Sequence, residues 1–366
     1  MPKLDRRQFL AVSTAALAMT GVGLPRAFGQ SSVDFAGETI EWIVPFSEGG
    51  GSDTWARFYA GYLSKYLPGE PDVFVRNAPG GGSTTGTNEF ALRAKPDGLS
   101  IIGTSGSTQF PFLLGDKRVK YDYADFIPVL VTPTGGVVYL PPEFEVTSAA
   151  DLGKIADREL VYASQGPTSL DLVPMLAFQI LGLNVRHVFG MTGRGDGRLA
   201  FERGEATIDY QTTSAYLTNV MPLVEAGKAV PIFSWGTLDE DGNVQRDPTF
   251  PDLPSFVEAY EMMHGSKPSG VEFDTYLAFF GAGFAAQKPV MLKKETPPEI
   301  VEAYRQAFVD AVADPELQAK KSDILGEYPQ ATGKAALKLF EVATTIDPEA
   351  RAWVRKFLTD NYNVEL

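Results

Sequence analysis

Residues 38–67 read ETIEWIVPFSEGGGSDTWARFYAGYLSKYL. The first nine, ETIEWIVPF, have the β-branched and aromatic content of a buried strand. A polar glycine turn follows at 47–52. From about Asp53, Trp55, Phe58, Tyr59, Tyr62, Leu63 and Tyr66 then recur at helical spacing as far as Leu67. The rhythm repeats downstream. A strand at 72–76 feeds the loop NAPGGGSTTGT (77–87) and a helix to about Ala94, and a strand at 100–103 feeds GTSGST (103–108). Strand–turn–helix alternation of this kind builds a parallel sheet with helices on both faces. The turns at its strand ends lie on the carboxyl edge, where ligands bind in open α/β sheets.

A second unit begins near residues 129–139. Strands are expected at 160–163, 185–188, 208–211 and 230–235, with helices over 169–181 and ending at 199–204. The Asp-, Pro- and Gly-rich stretch 236–254 reads as a long loop returning to the first unit. The end of the chain is helical at 298–313, 315–325 and 333–362. The reading is α/β: two units with a cleft between them, each a mainly parallel sheet flanked by helices. Domain 1 is discontinuous (30–133 and 237–366), domain 2 is 134–236, and the crossing segments fall near 132–134 and 235–237.

Composition narrows the function. The chain has 366 residues, 44% hydrophobic, and no cysteine, which excludes disulfides, thiolate metal sites and thiol nucleophiles. Two histidines, His187 and His264, cannot supply a histidine-rich metal site. No metal and no cofactor is expected. A net charge of −14 argues against a nucleic-acid partner, which needs a basic face.

Residues 1–29 have the layout of a cleaved export signal: Arg6 and Arg7, a mildly apolar run over 9–24, and a small-residue site around Ala27 and Gly29. The run DRRQFL (5–10) resembles the twin-arginine signature. The apolar run is shorter than the roughly 20 residues of a membrane span. The expectation is a soluble chain outside the cytoplasm.

The run IVPFSEGGGSDTWAR (43–57) resembles the opening of the periplasmic receptors of tripartite tricarboxylate transporters, the Bug family. That family continues with an Asn-x-Pro-Gly-x-Gly loop, matched at 77–82, and a Pro-Asp-Gly turn, matched at 96–98. Its second-unit patterns are matched at SQGPTS (164–169) and RGEATID (203–209), and Leu253–Pro254 and TPPEI (296–300) fit as well. The resemblance covers most of residues 36–345. It implies a two-domain clamshell of the periplasmic binding protein type (type II-like), location in the periplasm, a small organic carboxylate as ligand, and membrane permease subunits as partners. The receptor itself is expected to be monomeric.

Candidate ligand contacts follow. In the first loop, Phe46, Ser47, Gly49, Gly50, Gly51, Ser52 and Asp53 combine free helix-start N–H groups with backbone that can approach closely. Asp53 fits a helix N-cap better than a direct contact. The residues alone fit a plain turn equally well, and the resemblance favours binding. Pro79, Gly80 and Gly81 read as a cleft wall or a turn, because the spacing is not a dinucleotide fingerprint. Thr104 and Ser105 offer hydroxyls to a ligand or to the next helix. Ser164, Gly166, Thr168 and Ser169 mirror the first loop. Relatives commonly carry His after that last serine, whereas this chain has Leu170 followed by Asp171. Arg194, in a loop with Thr192 that also departs from the family pattern, could replace the lost donor with a planar fork for a carboxylate; a solvated loop arginine is the other reading. Thr212 fits the cleft floor.

The alternative is a secreted α/β hydrolase acting on a small ester or amide. It needs a nucleophile with a base, but the sequence around Ser105 is not the G-x-S-x-G elbow, and neither histidine has a suitable setting. The reading is a receptor and not an enzyme. The Arg194–Gly195–Asp196 triplet is too short to carry meaning.

Overall fold

The computed structural model describes residues 33–239 and 242–366. The expected export signal lies outside the described residues. Val33–Leu366 forms one compact unit.

The opening stretch folds as its pattern dictates. β1 (Thr39–Val44) leads through the glycine turn into α1 (Gly51–Tyr66), which starts two residues earlier than expected. β2 (Asp72–Asn77), α2 (Thr84–Arg93), β3 (Ser100–Gly103), α3 (Gly106–Leu114) and β4 (Phe126–Thr132) follow. The second set is β5 (Gly136–Leu140), β6 (Leu160–Ser164), α4 (Leu172–Ile180), β7 (Val185–Phe189), α5 (Arg194–Glu202), β8 (Asp209–Thr212), the broken helix α6–α7 (Thr213–Ala215 and Met221–Glu225, around a π-turn) and β9 (Val230–Ser234). The loop expected over 236–254 holds a two-residue ribbon, β10 (Thr237–Leu238) with β11 (Val244–Gln245). Two helices not assigned from sequence, α8 (Phe256–His264) and α9 (Val271–Phe280), precede β12 (Lys288–Lys293). The terminal helices are α10 (Pro298–Ala313), α11 (Pro315–Ile324), α12 (Gly333–Ala343) and α13 (Pro348–Tyr362). The last two were expected as one. Asp347 and Pro348 divide them: the Asp347 carboxylate accepts from the N–H groups of Glu349 (2.9 Å) and Ala350 (3.0 Å), and proline occupies the first helical position.

The first sheet has the order β2-β1-β3-β12-β4. β1 pairs in parallel with β2 and β3, and β12 runs against both β3 and β4. The reversed strand therefore begins at the edge where the parallel strands end. Its first residue, Lys288, lies opposite Thr132, the last residue of β4. The second sheet has the order β8-β5-β9, with β5 antiparallel to both neighbours, beside a parallel β6-β7 pair. The first sheet is mixed, with β12 reversed between its neighbours, whereas the second is wholly antiparallel, so the mainly parallel sheet expected there is confined to the β6-β7 pair.

The first core closes around Trp42, Trp55, Tyr59, Leu130 and Phe308, with the rings of Trp42 and Trp55 edge-on at 5.4 Å. A second core gathers Tyr162, Tyr210 and Trp235 with Phe256, Phe279 and Phe357. The helices α8, α9 and α13 of the returning segment thus pack against the second set of strands.

Candidate cleft and the residues around it

On the side of the first sheet, α1 starts at the carboxyl end of β1. Gly50 is its N-cap, and no side chain caps it. The first helical backbone bond runs from Thr54 N–H to Gly50 C=O (3.0 Å), so the N–H groups of Gly51, Ser52 and Asp53 come before the ladder begins. Asp53 is not the N-cap expected from sequence. It sits in the first turn, where its carboxylate accepts from Gly49 N–H (3.0 Å), Arg57 Nε (2.9 Å) and Asn77 Nδ2 (3.0 Å). It braces the loop and does not line the cavity described below.

On the opposite side, the second loop has spent its polar groups on itself. Ser164 Oγ donates to Asp171 (2.9 Å) and accepts from Gly166 N–H (3.1 Å). Ser169 Oγ donates to Gly166 C=O (2.7 Å) and accepts from Asp171 N–H (3.2 Å). Asp171 also accepts from Gln165 N–H (2.7 Å) and is fully buried. The chain's own carboxylate thus fills the loop that would mirror the first anion site.

Arg194 is held by the same carboxylate. It lies 3.3 Å from Asp171, pairs with Asp209, and donates to the carbonyls of Ala163 (2.7 Å) and Tyr210 (3.2 Å). Its guanidinium lies between the rings of Tyr162 and Tyr210, 4.9 and 4.8 Å from their centres. Burial works against its charge, but Asp171 and the surrounding phenols outweigh that and hold its pKa above the usual arginine value. Both terminal nitrogens are engaged within the fold, so the fork expected to replace a ligand donor is occupied. Only Nε lacks a partner. Arg194 is buried, which rules out the solvated-loop reading.

Between the two sides lies a cavity of about 20 Å3. Of the residues expected at a site, it brings together Phe46, Gly50, Gly51, Ser52, Ser105, Arg194 and Thr212. Ser47 packs beside it against Gly193. Thr104 meets Tyr123, and Thr168 meets Arg118 (3.0 Å). Pro79, Gly80 and Gly81 belong to a turn outside the cavity lining, followed by Ser83, whose hydroxyl pairs with Thr108 (2.9 Å). Thr192 is exposed and bonded to Asp196. Gly49, Ser164, Gly166 and Ser169 do not line the cavity either.

Four lining residues escaped the sequence reading: Ser107, Gln165, Leu170 and Gln287. Ser107 Oγ joins the two sides, donating to Gln165 Oε1 (3.1 Å) and accepting from Leu170 N–H (3.2 Å). Lys288 adjoins Gln287 and is 1% exposed. Its Nζ would lie 3.3 Å from a Cβ on Gly51. Burial alone lowers its pKa to about 7. Gln165 Nε2, Arg194 Nε, Gln287 Oε1 and Lys288 Nζ have no hydrogen-bond partner among the described residues. Buried polar atoms are normally paired, so several orphans around one cavity mark a place for another molecule's polar atoms. A larger cavity of about 300 Å3, walled mainly by Pro133, Leu238, Phe280, Phe284 and Leu339, sits at the crossing segments and gathers no such group.

No family model matches the chain. A UPF0065 protein of Pseudomonas sp. strain P51 is 26% identical over 324 residues, which span 87% of this chain and 85% of that protein. The protein BugT of Bordetella pertussis is 34% identical over 104 residues, 28% of this chain and 30% of BugT. In sequence over that stretch the chain is similar to BugT, and in fold it is similar to the solved structures of this group. The solved periplasmic binding protein BugD superposes with a TM-score of 0.66 at 22% identity, covering 88% of this chain and 98% of BugD. The R. palustris protein Rpa4515, solved with adipate, gives 0.68 at 20% identity over 88% and 98% of the two chains. MatC from Rhodopseudomonas palustris, solved with malate, gives 0.65 at 20% identity over 88% and 99%. The Bug fold is thus the two-domain α/β arrangement expected from the sequence.

Neither histidine lines the cavity of about 20 Å3. His264 lies within hydrogen-bond distance of Leu181 C=O (3.3 Å), and His187 stacks against Phe189 and meets the edge of Tyr162. No helix among the described residues is long and apolar enough to cross a membrane.

Proposed function

We propose that this chain is a periplasmic solute-binding receptor. It captures a small organic carboxylate in the cleft between its lobes and delivers it to a tripartite tricarboxylate-type permease. The lobes divide as 30–133 with 237–366, and 134–236, except that α8, α9 and α13 share the second core and move with the second lobe, and the receptor works as a monomer. The observation that carries this reading is the convergence, at one buried cavity between the two sheets, of an uncapped helix start and unpartnered polar side chains. That cavity is where a carboxylate would sit, since helix-start N–H groups favour anions. The malate and adipate bound to relatives of the same fold support the ligand class.

At about 20 Å3 the cavity holds little more than one water. A ligand therefore enters only when the lobes part about the crossing segments. The receptor reading is tested by native mass spectrometry of the purified protein and by calorimetry with small organic acids. A bound acid released unchanged supports it, and turnover of that acid counts against it. Export is proposed to follow the twin-arginine route. Replacing Arg6 and Arg7 with lysine then leaves the precursor in the cytoplasm, whereas normal processing of that variant would rule the route out.

A further inference from the structure

The cations near the cleft differ in one respect. Arg118 is paired with Asp116, Arg198 with Glu202, and Arg194 with both Asp171 and Asp209. The Arg194 group, one cation against two carboxylates, carries more negative than positive charge. Among the described residues, Lys288 has no carboxylate partner and no hydrogen-bond acceptor.

Chain topology brings Lys288 to this place. It opens the one reversed strand of the first sheet, so it arrives at the edge where β1 ends and α1 begins. A Cβ on Gly51 would overlap Thr212 Oγ1 and would lie 3.3 Å from Lys288 Nζ. The helix start, the end of β8 and the ammonium therefore meet at one point. A buried ammonium with no counter-charge is costly, and a fold keeps one readily only where an anion completes it.

We infer that Lys288 is the cationic partner of the ligand's carboxylate, and that the ligand carries a single carboxylate with a neutral remainder. This rests on the receptor reading and deepens it. The carboxylate lies against the start of α1 and Lys288. The remainder lies against Leu170, with Gln165 Nε2 and Arg194 Nε available to a neutral acceptor and Gln287 Oε1 to a donor. A second carboxylate would face the Arg194–Asp171–Asp209 group, which already holds surplus negative charge. Burial also places the Lys288 ammonium near its titration midpoint at neutral pH, so a bound anion draws a proton onto it.

Matched pairs of acids test this in the purified protein: butyrate against succinate, hexanoate against adipate, benzoate against phthalate. Calorimetry is run on the wild type, Lys288→Met and Lys288→Gln, with circular dichroism confirming that each variant is folded. The expected result is that the wild type binds a monocarboxylate roughly ten-fold or more tighter than its dicarboxylate partner. Both variants should lose roughly thirty-fold or more of that affinity. Undiminished affinity in the folded variants overturns the role of Lys288 and leaves the receptor reading standing. Preference for the dicarboxylate of a pair overturns the single-charge assignment. Binding of none of the six acids by the wild type counts against the receptor reading itself, and this inference falls with it.

Discussion

Arg194 and Asp171 lie 3.3 Å apart, both buried, at the place where the sequence led us to expect a ligand donor. With Asp209 they form a closed ionic group on the side of the cleft facing α1. The arginine is therefore first a structural residue. Arg194→Met strands two buried carboxylates and should destabilise the fold by about 3–5 kcal/mol. Urea denaturation checks this. A loss below about 1 kcal/mol would mean the pair is solvated in solution.

Lys288 sets an alkaline trend in stability. Its folded pKa is about 7 and its ordinary value is 10.5. Between those values the unfolded chain holds more protons than the folded one, so stability rises with pH across that window. Below pH 7 both states are protonated and the full penalty of burying the charge is present. The rise is on the order of 4–5 kcal/mol for an unliganded protein. Lys288→Met should abolish this rise and be more stable than wild type at pH 7. Parallel profiles for the two proteins in chemical denaturation across pH 7–10 would refute the assignment.

His187 governs the acid side. Burial lowers its pKa from 6.5 to about 4, with Asp171 opposing weakly, and its ring packs against Phe189 and Tyr362. The folded state keeps the neutral ring while the unfolded chain takes up a proton. Stability is therefore lost as pH falls from about 6.5 towards 4, by on the order of 2–3 kcal/mol. His187→Phe should remove that part of the acid sensitivity. Thermal melts at pH 4.5 and 7 compare the two proteins, and an equal fall in both would exclude His187 as its source.

Local pattern made much of this molecule legible. Strand–turn–helix alternation showed β1, β2 and β3 with the helices after them, because strand and helix periods differ and glycine turns punctuate them, but it did not show β12 or that β4 belongs to the first sheet. The first loop was readable for the same reason: Gly50, Gly51 and Ser52 lie between a strand and a helix that any periodicity would find. What escaped depends on contacts distant in sequence. Nothing near Leu170 tells that Asp171 turns back to bond Ser164 and Gln165, or that Arg194 arrives from another element to meet it. Lys288 precedes an apolar run and reads as an ordinary solvated lysine until β12 is known to be reversed. The break at Asp347–Pro348 did have a sequence signal, an N-cap residue followed by proline, but continuous helical periodicity masked it.

The two adjacent glycines at the cleft separate closure from folding. Gly50 has an ordinary extended backbone, φ −84° and ψ 167°, and a Cβ there would meet Gly195 N at 3.5 Å, a normal contact. Gly51 is helical, and a Cβ there would run into Thr212 Oγ1 across the cleft. Alanine is the better helix former at Gly51, so the clash acts between the sides and not within α1. Gly51→Ala should therefore fold normally but hold the lobes apart, while Gly50→Ala closes as the wild type does. Small-angle scattering should give a larger radius of gyration for Gly51→Ala alone. Calorimetry with whichever acid the wild type binds should show weakened affinity for that variant only. Equal radii and equal affinities for the two variants would mean that Gly51 and Thr212 do not meet in the closed protein, and would remove this cavity as the binding site.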